Sequence, residues 1–411
     1  MFRILYSIAT RIFGFVILVV SPFNDKARKW VRGRRRLWER LSTEMDDKQP
    51  VAWFHCASLG EFEQGRPVIE AYRKAMPGNK IMLTFFSPSG YDIRKNYEGA
   101  DWVFYLPLDL KWNVKKFLNL THPHLAVFVK YEFWYEYLFQ MWQRKIPVFL
   151  ISAHFRSQQW FFQWYGKPFR RMLNFFTHFF VQDEFSGKLL KKHGFENITV
   201  AGDTRFDRVF QIAQTVSENK LAASFKQDTR VVVAGSTWPG DEQLLIRYIN
   251  QTGNHVKWIL APHEVHSSHL QQIESLLKVP YQKYSEALET LLPESRVLII
   301  DNVGILSGLY KYGEMAYVGG GFGSGIHNIL EPATFGIPVV FGPSFSKFQE
   351  AIDLIKLEAA FPVGSYEELM NIFDFMLDDP TRPELSGKTA KKYIKNKLGA
   401  TKTIVDNLLN V

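Results

Sequence analysis

The feature that most restricts this chain is an alternation, run through twice, of short continuous apolar runs with amphipathic helical stretches. In the first series "VAWFHCAS", "KIMLTFF", "WVFYLP", "LAVFVK", "PVFLISA", "FFVQD" and "ITVAG" read as strands, with stretches such as "FEQGRPVIEAYRKAM" and "SGKLLKKHG" between them. Strands apolar along their whole length and joined by helices build a parallel sheet covered on both faces. The polar stretch "QIAQTVSENKLAASFKQDT" then reads as a linker. A second series follows: "RVVVAGS", "HVKWILAP", "RVLIID", "MAYVGGG" and "PVVFGP". The expectation is an α/β chain of two Rossmann-like domains in tandem, facing a crevice. A length of 411 residues suits two domains, and 46% hydrophobic residues supply their cores and exclude a disordered chain.

Ahead of the first strand lies "ILYSIATRIFGFVILVVSPF", apolar except for Ser7, Thr10, Arg11 and Ser21, and then the basic block "NDKARKWVRGRRRLWERL" with Trp30 and Trp38 interleaved. The uninterrupted apolar run from Ile12 to Val20 is short for a clean span, which takes about 20 residues. No small-residue cleavage site closes it, which speaks against a removed leader. Positive charge beside an apolar segment stays cytoplasmic and attracts anionic lipid. Residues 1–23 are therefore expected to be a membrane or interfacial anchor, followed by domains at 24–212 and 213–411; a core helix with a solvated basic face is the other reading. The formal charge of +9 calls for an anionic partner: nucleic acid, acidic lipid or a phosphorylated substrate. The one cysteine, Cys56, excludes an intrachain disulfide and a cysteine metal cluster.

Open parallel sheets bind ligands at the carboxyl ends of their strands, so chemistry is sought there. In "HCASLGEFEQGRPVIE" Glu61 follows a strand and opens a helix; it is either a carboxylate favouring the helix's positive end or a base aimed at a substrate. "YEFW" sets Glu132 and Trp134 past another strand end. "AGDTRFD" sets Arg205, "ISAHFRS" Arg156, and "TFFSPSGY" Ser87 and Ser89 in like positions. Two carboxylates and two guanidiniums on one edge suit an anionic substrate and a proton transfer. In the second half, "VGGGFGSGIHNILEPATFGIPVVFGP" predicts a strand, a glycine loop that admits a ligand closely, and a helix beginning near His327 and Asn328. That helix's free N–H groups suit phosphate, with Glu331 in its first turn within reach of a ribose. The spacing is not the dinucleotide fingerprint. "LAPHEVH" adds Pro262 and His263, and "IIDNVGIL" adds Val303, Gly304 and Ile305, at neighbouring strand ends. The run from His154 to Phe180 reads equally as a lipid-facing surface or as packed core; no nucleic-acid recognition motif accompanies it.

Together "HCASLGEFEQGRPVIE", "YEFW", "AGDTRFD", "GSTWPGDE", "DNVGIL" and "GGGFGSGIHNILEPATFGIPVVFGP" resemble, in order, the 3-deoxy-D-manno-octulosonic acid (Kdo) transferases. The resemblance runs from the N-terminal segment to the end, through "FQEAIDLIKLEAAFPVGSYEEL". It implies a GT-B glycosyltransferase on the cytoplasmic face of the bacterial inner membrane. Such an enzyme transfers Kdo from CMP-Kdo to the lipid A precursor lipid IVA in lipopolysaccharide synthesis, with inversion and without metal or cofactor. Glu61 would be the general base, with Glu132 and Arg205 assisting the transition state. Pro262, His263, Val303, Gly304, Ile305, Asn328, Ile329, Leu330 and Glu331 would contact the CMP of the donor. Implied partners are CMP-Kdo, lipid IVA and anionic inner-membrane lipid, not nucleic acid. The sequence departs from the family pattern at Lys130, where a first acid is usual, at Arg205 for a lysine, at His263 for an arginine, and at Ile305 for the close of an "MGE" loop. The rival enzyme is another membrane-associated GT-B transferase using a UDP-sugar, such as lipid A disaccharide synthase; the rival from another class is a non-catalytic lipid- or nucleic-acid-binding protein.

Overall fold

The structure, a computed structural model, describes residues 2–45, 49–253 and 255–410. It divides into two units, Met1–Asp207 with Leu398–Val411, and Arg208–Lys397. The first contains β1 (Val51–Cys56), β2 (Lys80–Phe85), β3 (Trp102–Tyr105), β4 (Pro123–Val129), β5 (Val148–Ala153), β6 (His178–Val181) and β7 (Ile198–Val200). They form one parallel sheet in the order β3-β2-β1-β4-β5-β6-β7. The second contains β8 (Arg230–Thr237), β9 (Val256–Pro262), β10 (Tyr281–Lys283), β11 (Val297–Ile299), β12 (Met315–Val318), β13 (Val339–Phe341) and β14 (Ala360–Pro362). These too are parallel, in the order β10-β11-β9-β8-β12-β13-β14.

The apolar runs become central strands because they can be buried on both faces: all six residues of β1 and all seven of β9 are buried. Trp53 and Trp258 are fully enclosed at the middle of their sheets. Two strands escaped the sequence reading. β10 and β14 are three-residue edge strands, "YQK" and "AFP", too short to show a period.

The stretch read as a linker is helical instead. Its first residues end the helix Thr204–Thr215, and Lys220–Lys226 forms another, whose Ala222 and Phe225 are buried against β8 and β9 residues. Its polarity belongs to the solvent side of short helices. The chain passes from the first unit to the second within the first of these helices, between Asp207 and Arg208. The closing segment returns to the first unit. The helix Ala400–Leu408 sets Ile404, Val405 and Leu408 among Phe62, Val68, Ile69 and Tyr72. Asp207 caps it, accepting from the Gly399 and Thr401 N–H groups at 2.7 Å each; such a cap contributes about 1 kcal/mol.

Three helices precede β1: α1 (Phe2–Val20), α2 (Asp25–Arg34) and α3 (Leu37–Glu44). α1 is long and apolar enough to cross a membrane. One stripe of it, however, docks on its own unit. Arg3 makes a two-point ion pair with the buried Glu136 at 2.5 and 2.8 Å, and the Tyr6 hydroxyl donates to Asp109 at 2.6 Å. Phe13 stacks on Phe86, and Gly14 lies against Leu108. Ile4, Leu5, Ile8, Ile12, Phe15, Val16, Leu18 and Val19 point outward, exposed. The run from His154 to Phe180 divides the same way. Phe161, Phe176, Phe179 and Phe180 are core, while Trp160, Trp164 (91% exposed) and Tyr165 stand out. Phe169 packs edge-on against both Phe2 of α1 and Trp160, so the apolar stripe and the exposed aromatics adjoin.

Candidate active site

Near the middle of each sheet the strand order turns back, between β1 and β4 and between β8 and β12, and such a reversal opens a gap between the connections that leave it. Glu61 and Glu132 lie at the first of these points, and the glycine loop at the second.

At the first reversal β1 runs into α4 (Leu59–Ala75), which carries Glu61 in its first turn. Ser58 begins the helix, and its hydroxyl donates to Glu61 Oε2. β4 is followed by Lys130 with φ at 63°, a left-handed turn that costs a non-glycine residue roughly 1 kcal/mol or more. It diverts the chain so that Glu132 lies over the sheet edge. Glu132, its side chain 12% exposed, accepts from the Trp134 indole N–H at 2.6 Å and lies 3.1 Å from His55 Nε2. The two glutamates share a neighbourhood: burial, followed by the charges of Glu61, Glu132 and Glu63, pushes the Cys56 thiol well up. That leaves Cys56 a packed, inert thiol rather than a nucleophile.

Arg205 follows β7, on the first turn of the helix Thr204–Thr215. Thr204 brings that turn back to α4 by donating to the Gln64 carbonyl at 2.6 Å, and Asp203 holds the Arg205 guanidinium at 2.7–2.8 Å. The other polar residues of this edge are spent locally or lie apart. Ser87 caps the helix Pro88–Arg94, accepting from the Ser89 N–H, and Arg156 is exposed.

At the second reversal a cavity of about 400 Å³ is lined by Trp238, Gly240 and Asp241 after β8, and by Gly320, Phe322, Gly323, Ser324, Gly325 and His327 after β12. Trp238, His263 and His327 form a stack, with ring centroids 4.8 Å and 4.3 Å apart in that order. The buried Asp241 accepts from the Trp238 and Gly320 N–H groups and from the Tyr317 hydroxyl, at 2.9, 2.9 and 2.7 Å. It thereby ties the helix after β8 to the glycine loop. Aromatic and imidazole planes beside a glycine loop suit a flat base or a sugar with an anionic group.

Residues 35–208 match the family model described as 3-Deoxy-D-manno-octulosonic-acid transferase (kdotransferase). Over 394 residues the chain is 25% identical to the 3-deoxy-D-manno-octulosonic acid transferase of Haemophilus influenzae, covering 92% of this chain and 91% of that one. Over 325 residues it is 28% identical to the transferase of the same description from Aquifex aeolicus, covering 77% and 83%. Residues 35–208 thus carry a match to the Kdo transferase domain, and the chain is similar to curated Kdo transferases over most of its length. In fold it is similar to the UDP-GlcNAc 2-epimerase of Neisseria meningitidis, with a TM-score of 0.61 at 16% identity, over 88% of this chain and 100% of that one. The chain thus has the fold of two Rossmann-like parallel sheets, as in GT-B proteins.

Within the second unit, the residues expected around the nucleotide do not form one cluster. His263 and His327 meet beside the cavity. Pro262 is buried at the end of β9, and Val303 is 84% exposed. Gly304 and Ile305 line a different cavity, of about 490 Å³, with Tyr284 and residues 215–221. The helix expected from His327 or Asn328 starts later, as Leu330–Phe335, with Ile329 as its cap residue. Asn328 precedes it because its side chain serves the turn: Oδ1 accepts from the Leu330 N–H at 3.2 Å and Nδ2 donates to Glu331 at 3.0 Å. Six residues give a weak dipole, so that helix holds an anion less well than the sequence suggested. Trp238, Asp241 and His327 were missed as site residues. The signal was present, since "GSTWPGDE" closes the first strand of the second series, where a switch point lies.

The Trp238 indole can only donate, and it reaches His327 Nε2 at 2.9 Å, so that nitrogen is unprotonated. Burial and the facing His263 push the His327 imidazole below its ordinary value near 6.5. A histidine depressed on folding binds fewer protons folded than unfolded. It stabilises the fold above that ordinary value, and the contribution is lost as pH falls through it. The expected result is a fall in melting temperature between about pH 7 and about pH 5.5 that is shallower in His327→Gln. Equal slopes in the two proteins would remove His327 from the pH response.

Proposed function

We propose that this chain moves Kdo from CMP-Kdo to lipid IVA, with inversion, at the cytoplasmic face of the bacterial inner membrane. The observation that carries the mechanism is Glu61, set on the first turn of α4 at the reversal of the first sheet and beside Glu132. The first unit carries the acceptor and the base; the second carries the nucleotide. An acceptor hydroxyl attacks the anomeric carbon while Glu61 takes its proton. The new C–O bond forms as the bond from carbon to the CMP phosphate breaks, and CMP leaves with that electron pair. Glu132 faces the positive charge that develops on the sugar, and Arg205, oriented by Asp203, offers its guanidinium to the phosphate. The cavity beside Trp238, His263 and His327 takes part of the donor.

Attachment rests on α1 and its surroundings. A helix held along one stripe by an ion pair, a hydroxyl–carboxylate bond and stacked rings lies on its unit, and its outward apolar stripe suits the lipid interface rather than a span. Exposed Trp160, Trp164 and Tyr165 adjoin it, and the basic block of α2 provides charge for anionic headgroups.

The test supplies CMP-Kdo generated in situ, labelled lipid IVA and vesicles containing anionic phospholipid. Expected are a Kdo-bearing lipid product, inhibition by CMP but not UDP, and flotation of the protein with anionic vesicles but not neutral ones. Absence of product from folded protein overturns the donor and acceptor assignment; inhibition by UDP alone points to the UDP-sugar rival. A protein that makes product but never floats loses only the interfacial reading.

A further inference from the structure

The fully buried His55 has no part in the reaction as written above, yet it ends a continuous line of hydrogen bonds on Glu132. Trp53 and His55 lie two apart on β1, so their side chains share one face of the sheet. β2 pairs with β1 so that Thr84 lies directly beside His55, which puts the threonine hydroxyl on that same face. Trp53 Nε1 lies 2.8 Å from Thr84 Oγ1, Thr84 Oγ1 lies 2.8 Å from His55 Nδ1, and His55 Nε2 lies 3.1 Å from Glu132 Oε2.

The chemistry of the two ends gives the line a direction. An indole N–H only donates, and an ionised carboxylate only accepts. The Thr84 oxygen therefore receives the Trp53 proton and gives its own to His55 Nδ1, leaving the imidazole proton on Nε2, aimed at Glu132. From the other side the Trp134 indole donates to the same oxygen, Oε2, at 2.6 Å. Both donors thus hold one oxygen of Glu132, and among the described residues no hydrogen bond reaches Oε1. Trp134 is itself packed on Phe86, 4.7 Å between centroids, and Phe86 on Phe13 of α1. The carboxylate is clamped by one oxygen and offers the other.

The geometry points to His55 as a positioning residue that holds Glu132 by Oε2 so that Oε1 faces the reacting sugar. This rests on the transfer reaction proposed above. A carboxylate must be aimed to stabilise a developing charge, and a misplacement of about 1 Å costs on the order of 100-fold in rate. His55 touches neither substrate, so its effect passes entirely through Glu132.

The experiment measures steady-state kinetics of the full chain with CMP-Kdo and lipid IVA for wild type, His55→Leu, His55→Gln, Glu132→Gln and the double variant His55→Leu with Glu132→Gln. The leucine variant is expected to lose about 10- to 100-fold in kcat with KM for CMP-Kdo within about twofold of wild type. The glutamine variant, whose amide donates where Nε2 did, is expected to recover most of that loss. In the Glu132→Gln background the His55 substitution should cost almost nothing more, because the group it positions is already gone. Additive losses in the double variant, or a kcat equal to wild type in the leucine variant, overturn the proposal. If the leucine variant does not fold, the glutamine variant decides: kcat near wild type supports the clamp, and a loss as large as that of Glu132→Gln overturns it. Failure of the wild type to form product overturns the functional reading and this inference with it, whereas wild-type product beside additive variants overturns this inference alone.

Discussion

Glu61→Gln is expected to cut the turnover of Kdo transfer by about 100-fold or more while leaving the melting temperature close to that of the parent. The magnitude follows from what the residue is asked to do. A sugar hydroxyl is a poor nucleophile at neutral pH, and a positioned base that takes its proton in the transition state contributes on the order of 100- to 10,000-fold. Glutamine keeps the shape of the side chain and can still accept from the Ser58 hydroxyl, so the helix start survives while the basic oxygen does not. Initial rates with CMP-Kdo and labelled lipid IVA give the answer directly. Retention of more than about a tenth of wild-type turnover would remove Glu61 as the base and leave the proton to solvent or to the acceptor's own groups.

A large effect on stability is expected at Gly319. A Cβ there would lie 2.3 Å from the Ser236 carbonyl oxygen and 2.6 Å from Thr237 Cα. Both obstacles are backbone of β8, the central strand of its sheet, and cannot rotate away as a side chain would. Overpacking a core typically costs about 1–3 kcal/mol, and Gly319→Ala belongs at the top of that range, with the glycine loop displaced. Binding to the cavity that the loop lines should fall with it. Gly323→Ala, in the same loop, is the control: the nearest atom to its added Cβ is the Gly320 carbonyl oxygen at 3.5 Å, and little change is expected. Urea unfolding of the two variants against wild type checks both statements. Equal stability of Gly319→Ala and wild type would mean that the strand ends separate more readily than their close approach implies.

These two sites differ in how far the sequence alone exposes them. Glu61 is legible because its signal is local. An apolar run, a small-residue turn and a helical pattern with an acid in its first turn stand within "HCASLGEFEQGRPVIE", and Glu132 and the glycine loop are marked by neighbours in the same way. The Gly319 contact is not local. It depends on β8 lying beside β12, some 80 residues apart in sequence, with β9 on the other flank.

The same division runs through the whole chain. By itself the sequence determined two series of buried parallel strands, the strands that close in Glu61, Glu132 and the glycine loop, an apolar N-terminal helix and a basic flank. Periodicity and turn chemistry are properties of a few neighbouring residues, and they survive without knowledge of the fold. Only the tertiary structure decided which strands adjoin. It set β1 against β4, so that two glutamates from separate segments share one edge. It set β2 in register with β1, so that Thr84 meets His55, and stacked Trp238, His263 and His327 from three loops. It also returned the last helix to the first unit and turned an apparent linker into helices. These outcomes are settled by what can be buried together at long range. Burial is a property of the assembled sheet, and no window of the chain contains it.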